Sequence, residues 1–271
     1  MLIIAHRGAS GHAPEHTFSA WDLALEMGAD YLEQDLQMTA DGVLIVLHDE
    51  TLDRTGRGCR GRVRDLIFEQ IAGCNVGSWF NQAFPERARP EFDRERVPTL
   101  DAVLNRYKDR SRFYIETKQP EEAPGMESEL LRVLDACDLR PSSSADTRVI
   151  VQSFSSESLA LLHTLEPRLF LVKLFHRIQR GRLLMRLLRT VATFARGVGP
   201  SFRTVTPGIV DAAHDLGLVV HPYTINEPAD MQRMAEMGVD GMFTDFPDRL
   251  ARLRSGLRQK PSQKRRSESP N

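Results

Sequence analysis

Apolar residues follow two alternating rhythms along this chain. Short runs such as 2–5 (Leu-Ile-Ile-Ala) and 31–38 are spaced as buried strands. Between them, apolar residues recur at helical spacing, as in Phe18, Trp21 and Leu25. Thr17 is placed to cap that helix and Gly28 to stop it. Read this way, strands are predicted at 2–5, 31–38, 113–118, 148–153, 169–174, 195–200, 218–224 and 241–245. Helices are predicted after Thr17 and Thr99, and at 126–137, 157–165, 178–194, 207–216 and 229–237. Strand and helix in alternation, with eight strands, predict an α/β chain folded as a (β/α)8 TIM barrel.

One connection breaks the alternation. Only Thr39-Ala40-Asp41-Gly42 joins the second strand to the apolar run 43–48. Parallel neighbours need a crossover of about a dozen residues or more, whereas Asp-Gly signals a hairpin. The run 43–48 is therefore predicted to fold back antiparallel, as a β-hairpin extension of strand 2 beyond the barrel rim. That geometry returns His48 to the level of Glu33 and Asp35. Residues 50–97 follow neither rhythm, and a structureless loop of that length is rare in a compact domain. A small cap-like insertion is expected there, partly helical at 65–72 and packed over the barrel mouth. The barrel with its insertion is assigned to 1–253. From Arg254 the chain is polar and basic, and 254–271 reads as a disordered tail.

Composition narrows the partners. A formal net charge of −1 and a pI near 6.7 argue against a general polyanion binder, so no nucleic-acid partner is expected. The three cysteines, Cys59, Cys74 and Cys137, form no Cys-x-x-Cys pair. They read as reduced structural thiols in a reducing compartment. The N-terminus enters a strand directly, without a basic stretch and apolar core of a signal peptide. No apolar run reaches the roughly 18–20 residues of a membrane span. A cytoplasmic location is the expectation.

The candidate chemistry is concentrated in 3–49. His6-Arg7-Gly8 follows the first strand, and His48-Asp49 closes the hairpin. Glu33 and Asp35 stand two apart on one strand, so both project from the same face. Paired carboxylates repel unless a cation lies between them, and hard oxygen donors suit Mg2+ or Ca2+. Two histidines can divide general base and general acid duties, and an arginine matches phosphate in a bidentate fork. Metal, acid–base pair and phosphate clamp together describe phosphoester cleavage.

The ordered set HRG, PE, ExD and HD resembles the glycerophosphodiester phosphodiesterase family, in its bacterial soluble type. Glu116-Thr117-Lys118, Gln152-Ser153-Phe154, Tyr223-Thr224-Ile225-Asn226 and Thr244-Asp245-Phe246-Pro247 follow in matching order. The resemblance implies metal-dependent hydrolysis of glycerophosphodiesters to sn-glycerol 3-phosphate and an alcohol. One of His6 and His48 would activate the nucleophile and the other protonate the leaving alkoxide. Glu116 joins Glu33 and Asp35 as the third ligand of one divalent ion, Mg2+ or Ca2+ with Mn2+ as a further candidate. Arg7 takes the phosphate-clamp position and Lys118 stands beside it. Glu15 has a supporting place, and Gln152, Phe154, Tyr223 and Asn226 are candidates for the pocket wall. His16 and Tyr223 depart from the family pattern, which usually has Asn and more often Trp at those positions.

The least family-like stretch is 173–196, where Lys173, Arg177, Arg180, Arg182, Arg186, Arg189 and Arg196 occur with no acidic residue. It reads either as the basic solvent face of an outer helix or as a contact for anionic phospholipid surfaces. Two alternatives to the principal reading are a lysophospholipase D using this stretch and the cap, and a catalytically silent phosphate-binding module.

Overall fold

The structure is a computed structural model that describes residues 1–177 and 181–259. In chain order, β1 (Leu2–Ala5) leads to α1 (Phe18–Glu26), then β2 (Tyr31–Met38) and β3 (Leu44–Val46). The insertion contributes the short helices α2 (Phe68–Ile71) and α3 (Ser78–Ala83). The alternating series resumes with α4 (Leu100–Tyr107), β4 (Arg112–Thr117), α5 (Met126–Ala136), β5 (Val149–Ser153), α6 (Ser156–Leu165) and β6 (Phe170–Phe175). It ends with α7 (Arg182–Val191), β7 (Gly197–Pro200), α8 (Pro207–His214), β8 (Val219–Val220), α9 (Pro228–Glu236), β9 (Gly241–Thr244) and α10 (Pro247–Gln259). The caps read from sequence are in place: the Thr17 hydroxyl accepts from Ala20 N, and that of Thr99 from Ala102 N.

Eight parallel strands run in the order β8-β7-β6-β5-β4-β2-β1-β9, with β3 paired antiparallel on β2. The turn closes into a (β/α)8 barrel through individual bonds between the β8 and β9 segments. Asp240 N donates to Val220 O at 3.0 Å, Phe243 N to Pro222 O at 3.1 Å, and Ile225 N to Phe243 O at 2.8 Å. Pro222 has no N–H to return, so the strand predicted over 218–224 shrinks to two regular residues. The pleat sorts the side chains. Outward residues such as Leu32, Leu36, Ile115 and Val151 bury against the helices. Inward, Ile4, Tyr31, Tyr114, Ile150, Val172 and Phe243 pack as an apolar floor. Tyr114 Oη and His221 Nδ1, 3.0 Å apart, add a polar contact within it. Above this floor the inward positions turn polar.

The insertion differs from the expected cap. Leu52, Val63, Ile71, Cys74 and Val76 cluster on Ile45 and Leu47 of the hairpin. Phe80 and Phe92 pack on Ala13 and Ala20. It therefore buttresses the hairpin and the loop after β1, with a further tie from Arg64 to Glu122 after β4, and none of its residues lines the cavity at the barrel mouth. Reduced thiols are also corrected: Cys59 and Cys74 form a disulfide, and Cys137 is the free, buried one. Arg57 N donates to Asn75 O at 2.7 Å, and this fold-back puts Cys59 beside Cys74. The cysteine argument for a reducing compartment falls with that pairing.

The chain beyond Arg254 opens as helix, since α10 continues to Gln259. Arg254 is anchored there by Asp30 and by Gly28 O. The rest of the expected tail, 260–271, lies outside the described residues, as does the start of the helix predicted at 178–194. Among the described residues, no helix is long and apolar enough to cross a membrane.

Candidate active site

The polar layer begins where β1 ends. Arg7 has φ 58° and Gly8 φ 84°, both left-handed. A Cβ on Gly8 would lie 2.7 Å from that of Ala20, so only glycine lets this turn pass under α1. The turn aims Arg7 N at Glu33 Oε2, 2.7 Å away, and its Nη1 at Glu15 Oε1, 3.0 Å away. Arg7 Nε lies 3.4 Å from Asp35 Oδ2. A left-handed non-glycine residue costs on the order of 1 kcal/mol. These contacts hold it in place.

Glu33 and Asp35 point inward from β2, and Asp35 is in register with Glu116 on β4. All three are buried. Lys118 Nζ lies 3.0 Å from Glu116 Oε1 and 3.7 Å from Asp35 Oδ1. Burial first, then repulsion from Asp35 and Glu116, pushes the Glu33 carboxyl well above its ordinary range. Burial and Asp35 likewise push Glu116 up to about 8, against the pull of Lys118. Burial acts on Asp35 too, but Lys118, His16 and Arg7 outweigh it and hold that carboxyl low. Three carboxyls packed this closely cannot all ionise without more positive charge among them. Buried carboxylate oxygens, with the unpartnered Gln152 Oε1 beside them, are a donor set that fits a hard divalent cation.

His16 belongs to this cluster, which the sequence did not indicate. Its ring is 2% exposed and its Nε2 is 2.8 Å from Asp35 Oδ2. His16, Glu33 and Asp35 each offer a ligand atom within 4.8 Å of the others. Because Asp35 is ionised, it can only accept, so Nε2 carries the hydrogen.

The two predicted imidazoles have matching anchors. His6 Nδ1 is 2.7 Å from Asp245 Oδ1, and His48 Nδ1 is 2.6 Å from Asp49 Oδ1. Burial raises both aspartates, but hydrogen bonds lower them to about 2: from His6 to Asp245, and from Arg54 and His48 to Asp49. As carboxylates they accept only, so each ring donates from Nδ1 and leaves Nε2 free. Burial is the main cause that lowers His48 to about 4, which keeps it neutral at pH 7.

Arg54 joins the two ends of the site. It donates to Glu15 at 2.8 and 2.7 Å and to Asp49 at 2.6 and 3.1 Å. The resulting chain runs Arg7–Glu15–Arg54–Asp49–His48. Glu15 thus pairs with Arg7 and does not line the cavity. Asn226 is displaced from its predicted place: its amide donates to Asp245 Oδ2 at 2.6 Å, so it clamps the anchor of His6 and does not form pocket wall. Gln152, Phe154 and Tyr223 do line the cavity, with His6, Arg7, Glu33, Asp35, His48, Glu116 and Lys118. Its volume is about 260 Å³. Phe154 stacks on His176 with ring centroids 4.1 Å apart, and Tyr223 Oη donates to Phe175 O.

Of the anchors that sequence reading passed over, Asp49 had a signal in its adjacency to His48, and Asp245 in its place at a strand end. Arg54 had none, because its partners are distant in sequence or meaningful only once His48 is placed.

Comparison with known proteins bears on the family and the fold. Residues 6–249 match the family model of the glycerophosphoryl diester phosphodiesterase family. A glycerophosphodiester phosphodiesterase of Bacillus subtilis (strain 168) is 44% identical over 256 residues, covering 94% of this chain and 87% of the relative. The crystal structure of a glycerophosphodiester phosphodiesterase from Agrobacterium tumefaciens superposes with a TM-score of 0.74 at 29% identity, covering 93% and 99% of the two chains. An Oleispira antarctica phosphodiesterase shares the fold, with a TM-score of 0.81 at 23% identity and coverage of 95% and 97%.

Proposed function

Because the chain belongs to the glycerophosphoryl diester phosphodiesterase family, we propose that it hydrolyses glycerophosphodiesters to sn-glycerol 3-phosphate and an alcohol. One observation carries the reading. Two carboxylate-anchored imidazoles, a guanidinium, an ammonium and three acidic side chains converge on a single cavity. A divalent cation held by Glu33, Asp35 and Glu116, Mg2+ or Ca2+ with Mn2+ as a further candidate, would polarise the phosphoryl oxygens and favour ionisation of the attacking oxygen.

The chain's own residues do the rest. Arg7 and Lys118 face the phosphate and offset charge that builds on its oxygens. His48 takes the proton of the attacking oxygen, because burial keeps its ring neutral and Asp49 leaves Nε2 as the acceptor. His6, oriented by Asp245 through Nδ1, serves as the acid in its doubly protonated form and gives the Nε2 proton to the departing alkoxide. One P–O bond forms and one breaks, and the alcohol leaves neutral. The attacking oxygen is that of water or of a hydroxyl on the substrate's glycerol, the second route passing through a cyclic phosphate. The apolar part of the wall, Phe154, Leu174 and Phe243, favours lysophospholipids as a second substrate class.

The test is turnover of a headgroup panel, including glycerophosphocholine and lysophosphatidylcholine, with each divalent ion after chelation. Chelator should abolish turnover and one of the three ions restore it. His6→Ala and His48→Ala should each lower kcat by about 100-fold or more with an unchanged melting temperature. Full activity in either variant, or in the presence of chelator, would remove the mechanism. A single-turnover search for cyclic phosphate separates the two nucleophiles.

A further inference from the structure

The family reading leaves one conspicuous feature unused. Between Pro167 and Val210 the sequence has nine Lys or Arg residues and no Asp or Glu, in a chain whose net charge is −1. Some of these cations have local duties. Arg168 pairs with Glu166, Lys173 donates to backbone carbonyls, and Arg196 lies over the Phe170 ring. Arg182, Arg186 and Arg189 are different. They fall at i, i+4 and i+7 of α7, on one exposed face, while Leu184, Leu188 and Val191 bury the opposite one. Elsewhere on the surface some arginines are neutralised, as in Arg132–Glu129, Arg148–Asp146 and Arg233–Asp230, and others, such as Arg60, Arg94 and Arg110, stand singly, whereas α7 lines up three on one face of one helix. Among the described residues, no carboxylate pairs with the three on α7.

Two further observations point to the occupant. Leu183 is 59% exposed, beside Arg182 at the start of this helix. A hollow of about 520 Å³ is lined by Arg182, Met185, Arg186, Arg189, Thr190 and Thr193. Guanidinium and hydroxyl donors around a shallow, partly apolar depression match a phosphodiester headgroup with its chain attached. The location matters as well. In this fold each helix starts at the rim where its strand ends. His176 lines the cavity, and Arg182 follows six residues on, within about 22 Å even for extended chain.

We propose that α7 docks the enzyme on an anionic phospholipid surface, with the three arginines over headgroup phosphates, Leu183 inserted between them, and the cavity mouth beside the lipid. The function drawn from this docking, access to lipid-derived diesters at their source, rests on the phosphodiesterase reading; the docking itself does not. Nucleic acid is the less suitable polyanion, since it offers Leu183 no apolar phase.

Flotation of the purified full chain with vesicles tests this. Vesicles of phosphatidylcholine alone are compared with vesicles in which about a third of the lipid is phosphatidylglycerol, over a salt series. Binding is expected only to the anionic vesicles and should weaken with salt. Arg182→Glu, Arg186→Glu and Arg189→Glu combined should lower it by at least about tenfold, and Leu183→Ser by less. Turnover of soluble glycerophosphocholine should not change in any of these variants. Absence of binding, equal binding to neutral vesicles, or retention by an oligonucleotide in place of vesicles would overturn the docking proposal. Loss of soluble turnover in the wild-type chain would instead strike the phosphodiesterase reading.

Discussion

At the scale of single residues, His16 shows how a change of side chain can be absorbed by the chemistry around it. Its backbone is left-handed at φ 56°, and its ring is packed on Trp21. Nε2 occupies Asp35 Oδ2, which leaves Oδ1 as the oxygen turned toward Glu116 and Lys118. Hydrogen-bond partners that fix the free oxygen of a metal-binding carboxylate commonly contribute 10–100-fold to affinity, as an order of magnitude. His16→Ala should therefore weaken binding of the activating ion by about that factor, with His16→Gln closer to wild type. Calorimetric titration of the chelated protein measures this directly. Equal affinity in all three proteins would show that the ring merely fills space.

At the scale of elements, the hairpin and its buttress assemble the second half of the site. Three register pairs, Leu36–Val46, Gln37–Ile45 and Met38–Leu44, hold β3 on β2. The insertion adds the Ile45–Leu47 cluster and, through Arg54, a polar tie to Glu15. Arg54→Met should keep the apolar packing and free both Glu15 and Asp49. Its expected outcome is a fall in kcat of about tenfold, with a smaller change in KM, because a freed ring samples unproductive orientations. A change confined to KM would show that Arg54 serves binding alone.

This is also where the reach of sequence reading is clearest. Runs with strong periodicity, such as 31–38 or 126–137, became elements almost as written, because local pattern and tertiary burial agree there. The Asp41-Gly42 turn gave the antiparallel arm and with it the position of His48. The insertion was legible only as an interruption. Its core forms between residues far apart, Phe80 on Ala13 and Ile71 near Ile45, and no short window contains such contacts. The Cys59–Cys74 bond was hidden for the same reason: spacing alone does not show a fold-back. Asn226 reads as pocket wall from its place at a strand end, but its direction depends on Asp245, to which its amide is bound.

For the whole molecule, the floor of the barrel sets a limit on acid tolerance. His221 is completely buried, and burial is the main cause that lowers it to about 4, from an ordinary 6.5. His48 is lowered in the same direction. In the unfolded chain both rings take up protons below about pH 6.5, whereas the folded chain resists until about pH 4. Stability is thus full above 6.5 and is lost as pH falls through that window. The melting temperature should decline between those values, and His221→Gln should flatten the decline whatever its effect at pH 7. A profile unchanged by that substitution would assign the acid loss elsewhere.

The arm that carries His48 lies outside the closed ring of strands, and this has an evolutionary corollary. Glu33, Asp35 and Glu116 belong to the ring, while His48, proposed as one of two proton carriers, follows an appendage. A deletion that trims the appendage keeps the order of the eight ring strands but removes Leu44 and Val46 from the main core. It would yield in one step a descendant that grips a phosphate diester without cutting it, so the route from catalyst to sensor is short in this architecture.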